Sequence, residues 1–230
     1  MGRVKHQARP TRPYHAPRRT AAAAATRQAI LRAAKAEFEA RGWAATTMRS
    51  IAMSAGVSPK TVEALFATKP ALLEATLLAA VDDQAADSDT GPAIIRPEDV
   101  LGPQREARRE MEGAPDAAIM LELHAALLCE LHLRAARMCW AVETAVPSDE
   151  GLAALWARLT ESQVVLVRWS AEVLLAKPGV RADLTAREAE ETFLVAMDWN
   201  TYRTLVTKRG MTLDEVHAWT TRYYRRMLLA

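Results

Sequence analysis

The sequence predicts an all-α protein, an N-terminal three-helix unit followed by a larger helical body. Three observations carry that prediction. Apolar residues recur at three- and four-residue spacings through most of the chain, the period of a helix with one buried face. Cap residues, glycines and prolines divide those stretches at legible stops. No stretch reads convincingly as a strand, and no internal repeat of the solenoid kind appears.

Met1 to about Ala25 carries Arg3, Lys5, Arg9, Arg12, Arg18 and Arg19 among Pro10, Pro13 and Pro17, a composition unable to build a core. Residues 1–25 are therefore expected to form a mobile basic arm, either a solvated tail or a segment that orders on phosphates or in a minor groove. A helical period then begins at Thr26, with Ile30, Ala34 and Phe38 on one stripe. It stops at Arg41-Gly42, a C-terminal cation followed by a glycine. Thr47 caps a second helix that buries Met48, Ile51, Ala52 and Ala55, and Gly56 supplies the turn after it. Ser58 caps a third, with Pro59 at the first position, where a missing N–H costs nothing, and Val62, Leu65 and Phe66 inward over Val57. These elements place a helix-turn-helix unit at 26–72 and the helical body at 73–230.

Lys69-Pro70 opens a longer helix through Leu72, Leu73, Leu77 and Val81, fading near Asp87 into Ser88 to Pro92. The charged segment Pro97 to Gly113 is read as one short helix. Pro115-Asp116 starts a long apolar helix to about Ala145, and Pro147-Ser148 starts another to about Ala176, stopped by Pro178-Gly179. Thr185-x-x-Glu188 and Thr212-x-x-Glu215 are capping boxes, and Gly210 closes the helix between them.

Charge is divided unevenly along this frame. Residues 1–72 hold 13 Lys/Arg against Glu37, Glu39 and Glu63, net +10, and residues 73–230 hold 17 against 25, net −8, which sum to the overall +2. A strongly basic third on an otherwise acidic chain favours a polyanion at one end. No apolar run reaches the roughly 20 residues of a membrane span, and the start does not resemble a secretory signal, so a cytoplasmic protein with no membrane partner is expected. Cys129 and Cys139 are expected to be reduced, and no ligand-spaced Cys/His cluster points to a metal; no cofactor motif is present.

In a helix-turn-helix the second helix enters the major groove by its N-terminus while the helix before it rests on the backbone. That assigns Ser58, Pro59, Lys60 and Thr61 to the groove, with Lys60 the donor to guanine O6/N7 or to phosphate. Arg49 faces the same way. Thr47, Thr61 and Lys69 are placed to hold phosphates. Double-stranded DNA is the partner these residues suit.

The pattern Gly42-Trp43-x-x-Thr-Thr-Met-x-x-Ile51-Ala52, then Ala55-Gly-Val-Ser58-x-x-Thr61-Val-x-x-x-Phe66-x-x-Lys69-x-x-Leu72-Leu73, resembles the N-terminal signature of tetracycline-repressor-type (TetR family) regulators across residues 26–78. The resemblance implies a homodimer on a palindromic operator, usually repressing, released by a small ligand bound in the helical effector-binding and dimerisation domain. One departure stands out: where the family usually carries an aromatic that supports a phosphate contact, this chain has Glu63-Ala64-Leu65. Glu63 repels phosphate, yet it can accept from a cytosine amine or pair with Lys60.

For the body, Val216, Trp219, Tyr223 and Met227 form one stripe of the last helix. Phe193, Ala196, Met197 and Asn200 form a face of its predecessor, with Leu194, Tyr202, Leu205 and Val206 elsewhere. Apolar residues on more than one side suit a helix covered by its own domain and by a partner subunit, so Phe193, Met197, Val216, Trp219, Tyr223 and Met227 are the dimer candidates. Effector candidates are Met120, His124, Leu128, His132, Met138, Trp140, Trp156, Trp169 and Trp199, with Glu143, Arg168 and Asn200 as polar anchors, a set suited to an apolar or aromatic ligand. The same residues also furnish an ordinary helical core.

An enzyme lacks support, because no phosphate-cradling glycine loop, nucleophile elbow or metal-binding helix motif is present. The alternative that Glu63 and Ala64 motivate is a protein of the same fold without specific operator binding, acting as a ligand-binding or interaction module.

Overall fold

The protein is described from a computed structural model covering residues 16–81 and 103–230. Ten α-helices make up these residues: α1 (Ala16–Ala45), α2 (Met48–Ala55), α3 (Pro59–Leu65), α4 (Lys69–Val81), α5 (Pro103–Gly113), α6 (Ala117–Ala145), α7 (Glu150–Leu175), α8 (Ala186–Met197), α9 (Trp199–Arg203) and α10 (Leu213–Leu228). The all-α prediction therefore holds. Among the described residues the β-type contact is one isolated bridge, Val180 to Leu229. No single helix among them is long and apolar enough to cross a membrane.

The first helix starts ten residues before the predicted Thr26. Ala21 to Ala25 are the strongest helix formers, and Thr26 sits inside the helix, donating its Oγ1 to Ala22 O at 2.9 Å. Residues 16–25 of the expected mobile arm are thus helical, and residues 1–15 lie outside the described ones. Near the predicted stop, Gly42 adopts φ 70 and ψ −176, a left-handed break that an L side chain resists. Beyond it, Thr46 is buried and donates to Gly42 O at 2.8 Å, which turns the chain into α2.

The caps predicted at Thr47, Ser58, Thr185 and Thr212 are made, whereas α7, expected to start at Pro147-Ser148, is capped by Asp149 instead. Thr47 and Ser50 cap α2 reciprocally, at 3.0 and 3.1 Å. Gly56, at φ 69 and ψ 29, ends it by donating to Ala52 O and Met53 O. Ser58 accepts from Thr61 N at 3.1 Å to start α3. Asp116, Asp149, Thr185 and Thr212 cap α6, α7, α8 and α10. The break at Asp198 escaped the sequence reading: its side chain accepts from Asn200 N and Thr201 N, ending α8 and starting α9. A π-helical turn, Thr204–Lys208, follows.

The predicted boundary between residues 72 and 73 falls inside α4, and the core runs across it. Ile30, Ala34 and Phe38 of α1 and Leu72, Leu73 and Leu77 of α4 share one buried cluster with Met138 and Val142 of α6 and Leu152 and Leu155 of α7. A second cluster, around Met120, Phe193, Tyr224 and Leu228, fills the far end of the body. Fully burying one leucine stabilises by about 1.5–3 kcal/mol, so the shared cluster binds the three-helix unit firmly to the body.

Candidate nucleic-acid interface and effector cavity

The exposed end of the helix-turn-helix presents a compact polar surface. Arg49, Ser58, Pro59, Lys60, Glu63 and Ala64 are exposed, while Val62 and Phe66 anchor α3 to the core. Thr61 is half-buried, its hydroxyl 2.8 Å from that of Ser58. Among the described residues no ion pair joins Lys60 to Glu63, so the cation and the carboxylate are both presented outward.

Lys69 departs from its expected place on phosphate. Its ammonium donates to Trp43 O and lies 3.9 Å from the centre of the Trp43 ring, and burial lowers its pKa. Trp43 in turn stacks on Phe38 at 5.9 Å, so Lys69 ties the start of α4 to the end of α1. Glu37 does the same for α2: it accepts from Ser54 at 2.8 Å and from Arg41 at 3.1 Å, and chiefly the Ser54 hydrogen bond holds its carboxyl below the usual range. The guanidinium of buried Arg27 lies 4.6 Å from the Phe66 ring centre, at the end of α3.

The body holds a partly open cavity of about 160 Å³. Leu77, Leu78 and Val81 of α4 form one wall; Arg108 and Met111 of α5, His124 and Leu128 of α6, and Trp169 of α7 form others, and Met197 and Trp199 close it. Of the sequence candidates, His124, Leu128, Trp169 and Trp199 line it, whereas Met120, His132, Met138, Trp140, Trp156, Glu143, Arg168 and Asn200 do not. Met120 and Met138 are buried core. His132 packs between Trp199 and Tyr202, at 4.9 and 4.8 Å, and its Nε2 lies 3.3 Å from Met197 O. Trp140 is covered by the Arg203 guanidinium at 4.4 Å, and Asn200 donates to the Glu143 carboxylate at 3.2 Å. These four are spent holding α9 to α6, a role visible only once the break at Asp198 is known.

The sequence reading missed Arg108, because the charged Pro97 to Gly113 segment offered no apolar stripe to orient it. It also missed the α4 leucines as wall residues. Both histidines in this region are neutral: burial pushes His124 down to about 4, and chiefly burial does the same to His132. Cys129 and Cys139 are free and buried, which raises both thiols, Cys129 to about 11.

Three dimer candidates turn inward. Phe193 is fully buried against His124 and Tyr224, with ring centres at 4.7 and 5.2 Å; Val216 is buried, and Met197 faces the cavity. The larger ring of α8 takes the core, and its outward face is instead Leu194 and Val195, 42% and 48% exposed. On α10, Trp219 and Tyr223 stack at 5.3 Å and are half-buried, and Met227 is 42% exposed.

A capped α2, a left-handed glycine turn and an α3 that presents its N-terminal residues to solvent define a helix-turn-helix DNA-binding protein with an all-helical body. Residues 30–76 match the model of the bacterial regulatory proteins of the tetR family. Over those residues the chain is similar to the N-terminal unit of TetR-family transcriptional regulators. Its fold is that of NalD, the secondary repressor of the MexAB-OprM multidrug efflux pump in Pseudomonas aeruginosa, at a TM-score of 0.63 and 19% identity, covering 90% of this chain and 98% of that one. A transcriptional regulator from Saccharomonospora viridis, solved with choline, gives 0.63 and 18% over 90% and 98%. A TetR transcription regulator from Haloarcula marismortui gives 0.59 and 15% over 89% and 98%. A comparison with curated protein sequences finds no match.

Proposed function

We propose that the chain is a repressor that binds a palindromic operator as a homodimer and leaves it when a small apolar or aromatic molecule enters the cavity, with no enzymatic step. The observation that carries this reading is that α4 belongs to both parts. Its Lys69 end holds the last turn of α1 beside the helix-turn-helix, and its Leu77, Leu78 and Val81 end lines the cavity. A ligand that displaces α4 therefore moves the recognition helix.

Arg49, Ser58, Pro59, Lys60 and Thr61 are the proposed DNA contacts, and Leu194, Val195, Trp219, Tyr223 and Met227 the proposed dimer surface. Two half-sites about 34–36 Å apart supply affinity that one seven-residue helix cannot. Selection of bound sequences from random duplex tests the reading, with recovery of a two-fold symmetric site as the expected outcome. Exposed Glu63, which has no ion-pair partner among the described residues, favours a second reading, a ligand-binding module of the same fold without an operator. Salt-dependent binding without sequence enrichment is the result that selects it.

A further inference from the structure

Among the described residues the cavity carries one charged side chain, and it is a cation. Four of its other polar wall residues are already engaged inside the protein. Ser162 donates to Arg158 O at 2.8 Å, Ser170 to Leu166 O at 2.9 Å, and Gln163 to Met197 O at 3.1 Å. His124 pairs through Nδ1 with the Tyr224 hydroxyl at 3.0 Å. Among the described residues no Asp or Glu lines the cavity.

Arg108 differs from all of these. Its guanidinium lies 4.9 Å from the centre of the Trp169 ring, and its Nε–H is buried with no hydrogen-bond partner among the described residues. Its Nη2 reaches Glu112 at 3.4 Å, a long contact to a carboxylate 47% exposed to solvent, which leaves the Nε edge unsatisfied. A guanidinium over an indole in an otherwise apolar wall meets a carboxylate best, through its fork of N–H donors and its charge. The remaining space, about 160 Å³, suits one benzene-sized ring, for which about 150 Å³ is enough.

We infer that the cavity takes a small aromatic monocarboxylate, its ring among the leucines and Trp169 and its carboxylate on Arg108. This rests on the cavity being the effector site. It selects acids over neutral or cationic molecules of the same shape, because only they bring Arg108 a two-oxygen acceptor with the opposite charge.

The test uses the full chain and benzoate, benzamide and benzyltrimethylammonium as probes, followed by calorimetry and by quenching of tryptophan fluorescence. Benzoate is expected to bind at least about tenfold more tightly than benzamide, with the cation weakest. In Arg108→Met, benzoate and benzamide are expected to bind alike. Arg108→Lys, which keeps the charge but loses the planar fork, is expected to retain part of the preference, and it provides the readout if the methionine variant does not fold. Benzamide binding wild type as tightly as benzoate, or a preference unchanged in the folded Arg108 variants, overturns the inference and leaves the effector site standing. If none of the three binds or alters operator affinity, the effector-site reading falls and the inference with it.

Discussion

The two buried histidines make the fold acid-labile as the pH falls from about 6.5 toward about 4. His124 and His132 are 5% and 3% exposed, and burial takes each from 6.5 to about 4. In the unfolded chain they return to about 6.5, so below that pH the unfolded state binds more protons than the folded one. Their contribution to stability is complete above pH 6.5, is lost progressively as the pH falls toward about 4, and changes no further below that. At about pH 5 each histidine should cost about 2 kcal/mol and the two about 4 kcal/mol, a large share of the roughly 5–15 kcal/mol that holds a domain folded. Glu37, held below its usual range chiefly by Ser54, and Glu188 and Glu215, held there by the Thr185 and Thr212 backbone N–H groups, keep their contributions above about 4.5 and lose them as the pH falls further, so they add little at about pH 5. The assay is denaturant unfolding at about pH 7.5 and at about pH 5 for wild type, His124→Gln and His132→Gln. Each variant should lose about half of the wild-type pH dependence, whatever its stability at neutral pH. A wild type equally stable at both values, or variants with the full wild-type slope, refutes the reasoning.

Further outcomes follow from the turn, the body and the recognition helix. Gly56 at φ 69 has nothing within 4 Å of an added Cβ, so Gly56→Val should cost about 1–3 kcal/mol through backbone strain alone, and Gly56→Asn should recover part of it in denaturant unfolding. Leu194→Glu with Val195→Glu should leave thermal unfolding of the monomer nearly unchanged and shift sedimentation toward monomer. Phe193→Ala should instead lower stability by about 3–5 kcal/mol. Lys60→Ala should relax selection at one position of each half-site, at about 1–3 kcal/mol, while the rest of the selected sequence is retained.

The caps and glycine stops were legible because each acts within four residues, a range the sequence displays directly. Thr47, Ser58, Thr185 and Thr212 needed no tertiary information. The start of α1 was set too late because the prolines and cations before Thr26 outweighed an alanine run that carries its own helix propensity. Which face of a doubly apolar helix turns inward is a long-range question. Phe193 and Leu194 are adjacent and both apolar, and only packing against His124 and Tyr224 decides between them. Lys69 was misplaced for the same reason, since its partner Trp43 lies 26 positions away.

The coupling proposed for this regulator depends on how α4 is held as well as on where it lies. Its 13 residues span about 20 Å, a rigid rod at about 1.5 Å per residue. Leu72 and Leu73 are clamped in the shared core about a third of the way along that rod from its Lys69 end. Arg158 of α7 forks onto Glu74 at 3.2 and 2.7 Å, a second fixed point just beyond them. A close-packed core yields by discrete repacking rather than by continuous bending, so a ligand against Leu77, Leu78 and Val81 must tilt α4 about this pivot or leave it unmoved. Tilting carries the Lys69 end the opposite way, and with it Trp43, Phe38 and the helix-turn-helix they support. The exposed half of the Glu74–Arg158 pair adds little stability, since side chains 29% and 35% exposed are partly screened, but its two-point fork fixes direction. Under the proposed coupling, the pair therefore governs how faithfully cavity occupancy reaches α3, more than it governs whether the protein folds.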